Sequence, residues 1–73
     1  MEVNRIRIRQ SDMKTKLFFV VPEKESVYFD FFIPNLYKDG KLVYDGVTYR
    51  IERIDIFVSN REVCQEVILF GKN

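Results

Sequence analysis

The sequence predicts an all-β domain: five or six short antiparallel strands curled into a small barrel. Three observations carry this. Val, Ile, Phe, Tyr and Thr supply 29 of the 73 residues, whereas Ala is absent and Leu occurs four times. The abundant residues favour pleated strands, and the best helix formers are missing or scarce. Turn residues cut the chain into short apolar segments, the pattern of hairpin-connected strands. A hydrophobic content of 47% excludes an unfolded polar chain. A chain of 73 residues holds one domain at most.

Taken in order, residues 3–10 alternate Ile6 and Ile8 with Arg5, Arg7 and Arg9, the period of a half-buried strand. Ser11 to Lys14 is expected to turn. Residues 15–21 follow as a strand that is apolar on both faces, with Leu17, Phe19 and Val21 against Phe18 and Val20, and Pro22 ends it. Residues 22–26 are expected to be a charged loop. Residues 27–33 form the next strand, with Val27, Phe29, Phe31 and Ile33 on one face, stopped by Pro34-Asn35. Of the pairs Asp39-Gly40 and Asp45-Gly46, the second has the stronger apolar flanks. The tight hairpin is expected there, because both central positions of a type I′ turn need positive φ. Lys41–Tyr44 is then a short strand.

Residues 47–58 change phase. Val47, Tyr49 and Ile51 share one parity and Ile54, Ile56 and Val58 the other, so a regular strand cannot keep both sets on one face. A β-bulge near Glu52-Arg53 repairs this and lets a long strand turn the corner of a small barrel. The tail admits two readings. Ser59 to Glu62 fits a helix capping box, which makes 60–70 a short helix. Alternatively, Ser59-Asn60-Arg61 closes a hairpin that returns a final strand onto residues 54–58. The strand-prone run Val67 to Phe70 favours the strand. The whole chain then resembles a barrel of SH3-like shape.

Function is bounded mostly by exclusion. His is absent and Cys64 is the only cysteine. Zinc coordination, an internal disulfide and His-assisted nucleophilic catalysis therefore lack their residues. No Gly-rich phosphate loop and no paired carboxylates are visible. The expectation is no enzyme, no cofactor, no metal and no small-molecule substrate. The formal net charge of +1 gives no domain-wide field for nucleic acid or membrane. The N-terminal residues form no signal peptide and no run is long enough to span a membrane, so a cytoplasmic or virion location is expected.

Two features could carry binding. Arg5, Arg7 and Arg9 on one strand face would form a cationic track. Such a track could hold a phosphate backbone with aromatic rings stacking on bases, or simply solubilise an edge strand. The second feature is apolar surplus: the strands around Phe18 and Phe32 have hydrophobic groups on both faces. Closure, self-association or a partner must bury them. Phe18, Tyr28, Phe32 and Tyr37 are the expected contact anchors of a protein-interaction module, with the three arginines as a polar rim.

Finally, Arg5-Ile6-Arg7-Ile8-Arg9-Gln10 is similar to the opening strand of phage head–tail joining (head-closure) proteins. Leu42 to Ile51 resembles their later hairpin, in which an aromatic, a Gly, a Tyr and an Ile recur at set spacing. The resemblance covers about half the chain, and the Trp-containing middle segment of that family has no counterpart here. It implies a small barrel that binds neighbouring subunits in a virion neck. A protein partner or a second copy is thus the expected ligand, and a single-stranded nucleic acid is the alternative.

Overall fold

The computed structural model describes residues 13–71. Five strands follow one another: β1 (Met13–Val21), β2 (Lys24–Phe29), β3 (Lys41–Tyr44), β4 (Val47–Ser59) and β5 (Glu62–Gly71). They form one sheet in the order β2-β1-β5-β4-β3. The described residues are all β, as composition predicts, and the sheet curls into a half-barrel. The strand expected over residues 3–10, with Arg5, Arg7 and Arg9, lies outside the described residues.

Strand order follows from residue type. β1 and β5 carry apolar side chains on both parities (Leu17 and Phe19 with Phe18; Val67 and Leu69 with Ile68 and Phe70), which suits strands flanked on both sides. They occupy central positions, and β2 and β3, short and carrying Lys24, Glu25 and Lys41, are the edges. One pairing departs from the antiparallel expectation: β1 runs parallel to β5, from Met13 beside Val63 to Val21 beside Phe70. Every other neighbouring pair is antiparallel.

The hairpin at Asp45-Gly46 forms where expected, with φ of 52° and 78° and Tyr44 opposite Val47. Asp39-Gly40 is instead a loop turn in which the Gly40 N–H donates to the Tyr37 carbonyl at 3.0 Å. The tail is a strand and not a helix. A second two-residue turn, Asn60-Arg61, holds both residues at positive φ and sets Ser59 opposite Glu62. The phase change in β4 is a bulge at Glu52: Ile51 pairs with Leu69 and Arg53 with Ile68, leaving Glu52 unmatched.

Three boundaries need correction. Met13 and Lys14 belong to β1 and not to a turn, because β5 supplies them with partners in Val63 and Cys64. The loop expected over 22–26 shrinks to Pro22-Glu23, and β2 starts at Lys24, opposite Phe19. β2 ends at Phe29 and not at Ile33. Past Phe29 the chain leaves the sheet edge and crosses the concave face on its way to β3 at the opposite edge.

That crossing is held by two buried polar side chains. Thr15 of β1 and Gln65 of β5 are neighbours in the parallel pair and are 0% and 7% exposed. The Thr15 hydroxyl reaches the Phe31 carbonyl at 2.6 Å. Gln65 accepts from the Ile33 N–H at 3.2 Å and its amide donates to the Ile33 carbonyl at 3.4 Å. The side chains thus replace the ladder bonds that the segment gave up when it left the sheet.

The core lies inside the curl: Leu17 and Phe19 of β1, Tyr49 and Ile51 of β4, Val67 and Leu69 of β5. Each fully buried aliphatic or aromatic group here contributes about 1.5–3 kcal/mol. Val27, Phe29, Ile33, Leu36, Leu42 and Tyr44 close around them. Phe29 of β2 lies 6.5 Å from Tyr44 of β3, ring centre to ring centre. A flat sheet would hold these opposite edges about 19 Å apart, so this contact measures the curling directly.

Candidate functional site

Alternation along the strands leaves a second surface, the convex face. β1 sends Lys14, Lys16 and Phe18 there, β5 sends Cys64, Glu66, Ile68 and Phe70, and β2 sends Tyr28. Register places Phe18 beside Ile68, and Ile68 beside Arg53 of β4. Phe70 neighbours Arg50. Among the described residues no helix or second sheet lies over these groups.

Cations partly shield the rings. The Lys16 ammonium sits 4.5 Å from the Phe18 ring centre and 4.9 Å from that of Tyr28. Tyr28 is the main reason that Lys16 holds its proton above the ordinary lysine range, with Glu66 adding to it. The Arg50 guanidinium lies 5.4 Å from the Phe70 ring centre. Long cationic side chains laid on apolar surface keep their heads in water while covering it.

Three cations, Lys14, Arg50 and Arg53, are paired with carboxylates. Lys14 meets Glu62 at 3.0 Å, Arg53 meets Asp55 at 2.9 Å, and Arg50 meets Glu52 at 2.8 Å and Asp39 at 3.4 Å. All are exposed pairs of small energetic weight, but each carboxylate offsets a cation that a phosphate would need. The Glu62 carboxylate raises the Lys14 pKa, first by hydrogen bonding and then by its charge. Burial, with the charges of Glu66 and Glu62, pushes the Cys64 thiol up, so it is a poor nucleophile. An open depression of about 380 Å³ at the β3–β4 end is bordered by Lys41, Thr48, Arg50 and Phe70. Among the described residues no three His, Cys, Asp or Glu side chains cluster as metal ligands. None of the described residues forms a helix long and apolar enough to cross a membrane.

Of the expected anchors, the structure brings Phe18 and Tyr28 together around Lys16. Phe32 is half-buried in the crossing segment. Tyr37, 67% exposed in the same segment, has its ring edge beside Gly40, where an added Cβ would lie 3.0 Å from it. The four do not form one patch. Sequence reasoning missed Lys16, Ile68 and Phe70, because their adjacency depends on the parallel pairing of strands that begin about fifty residues apart. The even-numbered apolar residues of the tail were the available signal. It also missed the Ile56-Phe57-Val58 run, which is 52%, 51% and 65% exposed near the β4–β5 turn.

No family model matches the chain, and no curated protein or solved structure matches it either.

Proposed function

We propose that this chain is a non-enzymatic interaction module that offers its convex face to a protein partner. One observation carries the reading: the half-buried Phe18, Ile68 and Phe70 sit on adjacent strands beside the exposed Tyr28, with no second layer over them among the described residues. Contiguous apolar surface of this kind is uncommon on a monomer without a binding role, and aromatic groups dominate interface energetics. The resemblance to head–tail joining proteins extends the proposal to a structural role in a phage or mobile-element assembly, with neighbouring subunits as partners.

The test is a set of single substitutions on the purified partner complex. Tyr28→Ser and Ile68→Thr should each weaken binding by about tenfold or more. Val43→Thr, on the same face at the far edge, should leave it unchanged. A partner that binds all three variants as it binds the parent chain would sink the reading. Binding to a single-stranded oligonucleotide with a log–log salt slope of about −2 would point instead to phosphate contacts by three cations.

A further inference from the structure

Among the described residues the outer edge of β4 is only partly used. β3 pairs with Val47 to Arg50, and the loop before β3 adds two bonds: the Asp39 N–H donates to the Ile51 carbonyl at 2.7 Å, and the Ile51 N–H donates to the Gly40 carbonyl at 2.9 Å. Ile51 thus turns its peptide groups outward, away from β5. The bulge at Glu52 inverts the alternation, so beyond it the outward groups are those of Ile54, Ile56 and Val58. No described residue pairs with them. Their side chains share the concave side with Val67, Gln65 and Val63, and Phe57 projects on the other side.

We propose that residues 53–59 of β4 pair antiparallel with the same residues of a second copy, about a two-fold axis at Ile56. A second copy is favoured because the edge is self-complementary. Antiparallel bonding through the outward groups allows registers centred on Ile54, Asp55, Ile56 or Phe57. The first runs into the bulge, and the second sets two Asp55 carboxylates face to face, which is destabilising. The fourth drives Ile54 against the Asn60 turn. Centred on Ile56, the whole free stretch is used. Ile54 then meets Val58 of the second copy, Ile56 meets Ile56, and Asp55, held by its own Arg53 at 2.9 Å, faces Phe57. Ile56 and Val58, each exposed by more than half, and the half-buried Ile54 become one ladder across the axis. Beyond the bulge, residues 53–59 contain neither proline nor lysine, two of the usual devices against such pairing. So short a ribbon buries less than the roughly 800 Å² per partner of a standard interface, so the dimer forms at micromolar or higher concentration. This inference is independent of the convex-face reading and uses a different surface.

The experiment is sedimentation equilibrium of the full chain from about 1 µM to about 1 mM, with residue-resolved amide hydrogen exchange at both ends of the range. The expected result is a monomer–dimer equilibrium in which the Ile54, Ile56 and Val58 amides gain protection with concentration. The Asp55 and Phe57 amides, bonded to β5, stay protected throughout. Ile56→Lys should weaken the dimer by more than about tenfold, and Tyr28→Ser should leave it intact. Exchange on the parent chain decides the matter even where Ile56→Lys fails to fold. A strict monomer overturns the proposal, as does a dimer that leaves the three amides unprotected. Protection already complete at the lowest concentration means the edge is covered within one chain, and protection gained only with a different protein assigns it to that protein. Either overturns the proposal.

Discussion

Thr15 and Gln65, fifty positions apart, lie side by side in the parallel β1–β5 pair with the Thr15 hydroxyl 3.0 Å from Gln65 Oε1. The hydroxyl has one proton to give, and the Phe31 carbonyl at 2.6 Å is the nearer acceptor. Between them these two side chains fasten the crossing segment to the sheet, so the half-barrel is closed on its concave side by polar contacts inside an apolar core. Thr15→Val should leave the Phe31 carbonyl without this donor, and Gln65→Leu should strand both polar groups of Ile33. Each should cost about 1–3 kcal/mol in urea denaturation. The double variant should cost less than the sum, since both act on one segment.

Tyr49 presents the opposite case. Its ring packs 5.0 Å from Phe19 and is fully buried, yet its hydroxyl finds no partner among the described residues. Tyr49→Phe removes a desolvated donor and keeps the packing. Stability should rise by about 1 kcal/mol, read as a higher denaturation midpoint with unchanged slope.

Arg61 occupies the second position of a type I′ turn at φ 71°, where its Cβ is strained. Arg61→Gly should raise stability by about 0.5–1 kcal/mol, the strain relieved less the added freedom of the unfolded chain. A drop in thermal midpoint would contradict this.

Gly71 is needed for space. A Cβ there would meet the Val21 carbonyl at 2.5 Å and the Pro22 ring at 2.8 Å, both fixed parts of the β1–β2 turn. Gly71→Ala should cost about 1–3 kcal/mol, and the thermal midpoint should fall accordingly.

Cys64 should be slow to alkylate. Its raised pKa, caused first by burial and then by Glu66 and Glu62, lowers the thiolate fraction at any given pH. At about pH 8 iodoacetamide should react more slowly than with an unstructured cysteine peptide. The rate should keep climbing with pH beyond the point where the peptide levels off.

Much of the fold was legible because it is local. The parity change between Ile51 and Ile54 announces the Glu52 bulge, since a side chain must point to one face or the other. Asp45-Gly46 announces its own turn by backbone preference. The strand end at Phe29 was not legible, because Phe31 and Ile33 continue the alternation of Val27 and Phe29. Only the need to cross from one edge to the other takes them out of the sheet. The same limit applies to the convex surface. Phe18 and Tyr28 could be picked out as apolar surplus, but their neighbours Ile68, Phe70 and Lys16 are neighbours only through β5.

By itself, then, the sequence determined that the chain is β, where it turns tightly and where its longest strand must bend, because each of these depends on residues a few positions apart. The tertiary structure decided which strands meet. The parallel β1–β5 pairing, the crossing over Thr15 and Gln65 and the edge of β4 left unpaired among the described residues all follow from how the strands share one buried face. That choice rests on the total surface removed from water, which no single segment contains.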